Sequence, residues 1–318
     1  MHTDRQIVTS RLLDAPRALV FAAFTDPRHI SNWWGPRGFR TTTHEMDVRT
    51  GGVWRFIMHG PDGTDYRNRI RYTEVIPNER LAYDHDDDGE NNMQPFQGLI
   101  TFADEAGKTR VTLSLTLCSV AERENMVKFG AVEGAQQTLQ RLSEHTLVNT
   151  PGAFVLTRDL EAPRELVFKA WTEPERLAHW FGPKGFKLTV KTGDIRTGGL
   201  LHASMEAPNG MKMWAKWLVH EVSPLDCLVF TNCFSDEYGG LGRHPAAPQW
   251  PQQTLSVIEF EEVGENATRL TIRGILVHAT ADEHTVFASN HASMRGGWGG
   301  TLEQLTAYLA DETQTARA

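Results

Sequence analysis

The sequence predicts a duplicated α+β domain, each copy an antiparallel sheet of about six or seven strands closed by a long C-terminal helix. Three observations carry this reading. First, the stretch from Ala15-Pro16-Arg17 to Trp33-Trp34-Gly35-Pro36-Arg37-Gly38-Phe39 returns without a gap as Ala162-Pro163-Arg164 to Trp180-Phe181-Gly182-Pro183-Lys184-Gly185-Phe186. The same register matches Asp47–Gly52 with Asp194–Gly199 and Glu74–Pro77 with Glu221–Pro224. A repeat this long closes its own core instead of stacking as a solenoid. Second, Val111, Leu113, Leu115 and Leu117 alternate with Thr112, Ser114 and Thr116, the pattern of a strand with one buried and one polar face. Third, Ser119 with Glu122 and Thr280 with Glu283 are capping-box pairs, each opening the longest helix of its copy.

Taken in order, Ile7–Leu13 reads as a strand, and Pro16 opens a helix whose buried face is Leu19, Val20, Phe21, Ala23 and Phe24. Thr25-Asp26-Pro27 ends it, because a residue before proline is driven from the helical region. A second short helix, Arg28–Trp34, stops at Gly35-Pro36. Strands follow at Thr41–Arg49, Val53–His59, Tyr66–Val75, Arg80–Asp84, Phe96–Phe102 and Arg110–Leu117, with glycine turns at Thr50-Gly51-Gly52 and Pro61-Asp62-Gly63. The long helices are expected as continuous segments, Val120–Leu142 and Ala281–Leu309. The cluster Gly296-Gly297-Trp298-Gly299-Gly300 reads as close helix-to-sheet packing, with a bend or room for a ligand as further uses of glycine inside a helix.

At 318 residues the chain accommodates two domains, placed at 1–147 and 151–313. The link ending in Pro151-Gly152 is short, which predicts a shared interdomain interface. The net charge is −8, with 17 basic against 20 acidic residues in 1–150 and 15 against 20 beyond. This balance argues against nucleic acid and against an anionic membrane surface. Cys118, Cys227 and Cys233 form no metal or redox spacing and read as small buried hydrophobes. Met1–Gln6 lacks an apolar leader and no run reaches membrane-span length, so the expected location is the cytoplasm, without membrane insertion. The acidic run Asp84–Glu90 lacks the ligand spacing of a calcium loop and reads as solvated. No compact histidine motif, nucleophile elbow, phosphate loop or dinucleotide fingerprint occurs, so no metal and no cofactor is expected.

The repeated Ala-Pro-x-x-x-Val-Phe, Asp/Glu-Pro, Trp-Trp/Phe-Gly-Pro, Arg-x-Gly-Gly and Glu-Val-x-Pro elements resemble the bacterial relatives of the Hsp90-ATPase-activator C-terminal domain. That family sits within the SRPBCC, START-like and Bet v 1-like helix-grip superfamily. The resemblance covers nearly the whole chain and implies two tandem helix-grip domains, each a curved antiparallel sheet wrapped on its C-terminal helix around a ligand space. A superfamily with many activities implies function only broadly. The leading expectation is binding of a small hydrophobic molecule, aromatic or lipid-like, in a carrier, sensor or resistance-type role. A cyclase-, aromatase- or hydrolase-like enzyme in the same cavity is the alternative, and an Hsp90 co-chaperone-like module the third.

Strand and helix periodicity nominates the walls. In the first copy these are Trp34, Trp54, Phe56, Met58, Tyr66, Asn68, Ile70, Met126 and Phe129; in the second, Phe181, Met213, Trp217, Met294 and Trp298, with His202, Ser204 or Met205 from the strand opposite Trp54–Met58. Such residues also fill solid cores, so they are nominated as a set. Trp33-Trp34 and Trp180-Phe181 either anchor the short helix or gate the cavity. For acid–base chemistry the candidates are Tyr66 and Glu133, with His59 and Asn68 beside them, and His291 with Arg295.

Overall fold

Each copy of the repeat folds as its own unit, Met1–Thr150 and Pro151–Ala318. The computed structural model describes residues 4–89, 94–150 and 152–315. Met1–Thr3 at the N-terminus, Glu90 of the acidic run and Pro151 of the link lie outside the described residues.

The first unit runs β1 (Gln6–Leu13), α1 (Arg17–Thr25), α2 (Pro27–Ile30), β2 (Arg40–Met46), β3 (Val53–His59), β4 (Asp65–Ile76), β5 (Arg80–Asp86), β6 (Phe96–Glu105), β7 (Lys108–Thr116), α3 (Val120–Lys128) and α4 (Ala131–Val148). The second repeats it as β8 (Phe154–Leu160), α5 (Arg164–Thr172), α6 (Pro174–Trp180), β9 (Lys187–Gly193), β10 (Leu200–Glu206), β11 (Lys212–Ser223), β12 (Cys227–Ser235), β13 (Gln253–Gly264), β14 (Ala267–Leu276), α7 (Ala281–Ser289) and α8 (His291–Thr315). Both sheets are seven-stranded and antiparallel, ordered β1-β7-β6-β5-β4-β3-β2 and β8-β14-β13-β12-β11-β10-β9. These are tandem helix-grip domains.

The same physics builds both. Pro27 and Pro174 sit at the first turn of α2 and α6, where their missing N–H costs nothing. The first tryptophan at the end of each short helical segment is an anchor: Trp33, just past α2, and Trp180, the last residue of α6, are buried, and their Nε1 groups donate to the carbonyls of Ala23 and Ala170, both at 3.0 Å. Thr280 and Glu283 complete a reciprocal capping box on α7, and at α3 the Ser119 hydroxyl accepts from the Glu122 amide.

Three local expectations need correction. The long C-terminal helices are broken: Gly130 takes a left-handed φ of +85° between α3 and α4, and Asn290 separates α7 from α8. Apolar spacing runs across both breaks, so periodicity alone joins them. The glycines of α8 do not pack closely against the sheet, since a Cβ added at Gly296, Gly297, Gly299 or Gly300 meets nothing within 4 Å. Of the cysteines, Cys233 is buried, Cys227 half-buried and Cys118 exposed. No described helix is long and apolar enough to cross a membrane.

Candidate functional site

Each unit holds a cavity between the inner face of its sheet and its last helices. It measures about 270 Å³ in the first unit and about 420 Å³ in the second. The strand pleat decides what faces inward. On β4 Asn68 and Ile70 line the first cavity, and on β11 Met213, Ala215 and Trp217 line the second. The intervening Arg69 points the other way and pairs with Asp86 and Asp88 at 2.8 and 2.6 Å. The acidic run is thus ion-paired in part, and Arg55 joins it through Asp88 at 3.1 Å.

Trp34, Phe56, Met58, Asn68, Ile70 and Met126 come together around the first cavity, and Phe181, Met213, Trp217, Met294 and Trp298 around the second. Trp33 and Trp34 divide the two roles open to them, the first as anchor and the second as wall, and Trp180 and Phe181 do the same.

Three nominated residues stand elsewhere. Trp54 is buried one layer behind the wall, stacked on Phe56 at 3.9 Å. Tyr66 shares the parity of Asn68 but sits near the start of β4, beyond the rim, and is exposed. Phe129, at the break between α3 and α4, is 91% exposed. On β10 the inward set is Leu201, Ala203 and Met205, while His202 and Ser204 have the opposite parity. His202 Nε2 instead donates to the Asp236 carbonyl at 3.0 Å.

Of the acid–base candidates, Asn68 lines the first cavity, and Tyr66, Glu133, His59, His291 and Arg295 line neither. Beside exposed Tyr66, Glu133 is exposed on α4 and accepts from Gln137 Nε2 at 3.0 Å. His291 packs edge-on against Phe154 and Phe287, and burial lowers its pKa. Arg295 is exposed, its guanidinium 5.6 Å from the Phe154 ring centre. His59 faces outward to Thr42 and Asp65.

Several wall residues escape a reading by motif. The foremost is His85, which the acidic run conceals: β5 extends through it, and Leu81, Tyr83 and His85 alternate inward. Continuing that alternation past Tyr83 would have found it. Asn68 Nδ2 donates to the Tyr66 carbonyl at 2.8 Å, so its Oδ1 accepts from His85 Nε2 at 3.0 Å. His85 Nδ1 is buried with no hydrogen-bond partner among the described residues. Burial depresses the imidazole pKa to about 4, partly countered by Asp86 and Asp87, so the ring is neutral at pH 7. The matching place in the second unit is Asn232, beside Thr254 and Ser256 on the next strand. The second cavity also takes His244 and Trp250 from the long β12–β13 connection, which Arg243 ties to Glu283 of α7 at 3.1 Å.

Comparison with known proteins gives a consistent family. The family model described as "Activator of Hsp90 ATPase homolog 1-like protein" matches residues 14–146 and again 161–310. No curated protein matches the chain. Among solved structures, protein Ms6760 from Mycobacterium smegmatis is 24% identical over 44% of this chain and 89% of its own, with a TM-score of 0.41. Protein CV1439 from Chromobacterium violaceum is 26% identical over 44% of this chain and 96% of its own, at 0.39. The di-domain ARO/CYC BexL from the BE-7585A biosynthetic pathway is 15% identical over 96% of this chain and 98% of its own, at 0.44.

Proposed function

Starting from a chain that belongs to the Activator of Hsp90 ATPase homolog 1-like family, we propose that it binds small, predominantly apolar molecules, one in each domain, as a cytoplasmic carrier or sensor. The observation that carries this is the pair of sheet-to-helix cavities of about 270 and 420 Å³, walled mainly by aromatic, aliphatic and methionine side chains. Ligand sites commonly run from about 300 to 1,000 Å³, and a dry cavity of about 150 Å³ already holds benzene. By that scale the second domain accommodates two or three fused rings and the first a smaller molecule. Burial of such a ligand is driven by apolar area removed from water, about 25 cal/mol per Å² before the cost of association.

Of the acid–base candidates, Asn68, an amide that does not titrate, lines a cavity, while Tyr66, Glu133, His59, His291 and Arg295 stand outside both, which favours binding over proton-transfer chemistry at those residues. The test is native mass spectrometry of the purified chain, followed by denaturation to release any passenger. An apolar passenger of low mass, or uptake of an added naphthalene-class probe at up to two per chain, is the expected result. A chain that carries nothing and takes up no probe at saturation contradicts the reading.

A further inference from the structure

The second cavity has a polar strip across β12 and β13 where, at the three matching positions, the first keeps only the polar group of His85. Asn232 of β12 and Thr254 of β13 are directly opposite in register, and Ser256 lies two residues farther along β13 on the same face, opposite Phe230. All three line the cavity. Their side chains make no hydrogen bond to another described residue. In the first domain the matching pairs are His85 with Phe96 and Tyr83 with Gly98. There Phe96 brings no polar atom, and the Tyr83 ring lies over Gly98, where a Cβ would come within 2.0 Å of it.

Beside the strip on the same sheet face, with Trp217 opposite Asn232 in register, stands a layer of rings. Trp217 is stacked on Phe230 at 4.1 Å, and Phe181 packs edge-on against Trp217 and Trp298 at 5.2 and 6.0 Å. The one arginine in this wall, Arg273, is engaged by Glu259 at 2.9 Å, so its charge is matched within the protein. A sheet face with amide and hydroxyl groups along one part and ring faces along the next suits a flat molecule with one oxygenated edge and no net charge. Polar groups left unpaired when a ligand excludes water weaken binding, so such a site discriminates by hydrogen bonds more sharply than by added carbon.

We propose that the second cavity is a site for a neutral, planar aromatic molecule bearing hydroxyl or carbonyl groups along one edge, held by Asn232, Thr254 and Ser256 with its rings against Trp217 and Trp298. The inference rests on the ligand-binding reading above and narrows it. Asn232 supplies both a donor and an acceptor, and the two hydroxyls supply either, so both phenols and ketones are served.

The test titrates the full chain by calorimetry with 2-naphthol, 2-methylnaphthalene and 2-naphthoate. The naphthol is expected to bind about tenfold or more tightly than the methyl compound, and the carboxylate more weakly than the naphthol. T254V and N232L should each remove most of that preference while leaving 2-methylnaphthalene affinity unchanged or improved. S256A, the least disruptive change, should reduce the preference in the same direction and serves if N232L fails to fold. Equal affinity for naphthol and methylnaphthalene, or a preference untouched by T254V and S256A, overturns the inference while leaving the binding reading standing. No uptake of any of the three probes overturns that reading and the inference with it.

Discussion

The two cavities occupy the same place in the same fold, yet each domain puts its bulk on the opposite wall. In the first, strand β3 brings Phe56 to the wall, backed by Trp54 stacked on it, and the facing helix offers Ala131 and Ala135. In the second, strand β10 carries Leu201 and Ala203, and the helix offers Met294 and Trp298. The frame around the exchange is unchanged: Thr138 and Thr301 each donate to the carbonyl four residues back, Gly134 and Gly297, at 2.8 and 3.1 Å. The difference teaches that core volume in this fold is negotiated across the gap between sheet and helix, so a cavity can be reshaped while its frame stays fixed. The second cavity is larger partly because Gly274 of β14 stands where the first domain has Leu115.

The largest expected effect tests what the two domains share. Trp33→Ala and Trp180→Ala each remove a fully packed anchor whose indole also holds a helix carbonyl. Each should cost about 3 to 5 kcal/mol. In calorimetric melts the loss should fall on the mutated domain's transition. A loss below about 1 kcal/mol in either domain would break the equivalence of the two anchors.

The next effect separates the domains by pH. The folded-state pKa of His85 is about 4 against an ordinary value of 6.5, so between these values the unfolded chain binds the extra proton. Stability of the first domain therefore falls as pH drops from about 6.5 to about 4, by roughly 3 kcal/mol from this group. His85→Asn, which copies Asn232, should flatten that part of the first domain's pH profile and leave the second domain's profile alone. Identical wild-type and H85N profiles, measured by urea denaturation at a series of pH values, would remove His85 from the account.

Transplanting bulk sharpens the exchange of walls. Ala203→Phe gives the second domain the strand residue of the first, and the ring should enter the cavity. Binding in that domain should fall at least a hundredfold, with a stability cost of at most about 1 to 3 kcal/mol. Unchanged probe stoichiometry in a folded A203F chain would show that ligands do not use this space. The smallest effect concerns α8. Gly296→Ala meets no neighbouring atom within 4 Å and should stabilise the second domain by about 0.4 to 1 kcal/mol. A destabilised melt would mean that this glycine is required by something other than packing.

Much of the architecture was legible because its signals are local. Pro27 and Pro174, the capping pair Thr280 and Glu283, and the alternation along β7 act within a few residues of chain, and each reads directly as a helix start or a strand face. Repetition then doubled every such signal. Pleat parity likewise nominated Asn68, Ile70, Met213 and Trp217, because a strand offers its side chains only two faces. Parity failed where a strand passes beyond the rim, at Tyr66, and where a charged neighbourhood disguised an inward residue, at His85.

By itself, then, the sequence determined the duplication, the order of strands and helices, and which face of most strands turns inward, since these follow from short-range sterics and periodic burial. Only the tertiary structure decided that Gly130 and Asn290 break the C-terminal helices, that Trp54 lies behind the wall and Trp34 in it, and that Asn232, Thr254 and Ser256 meet. Those outcomes depend on the depth of packing between sheet and helix and on strand register, which join residues far apart in the chain. Local patterning cannot specify them.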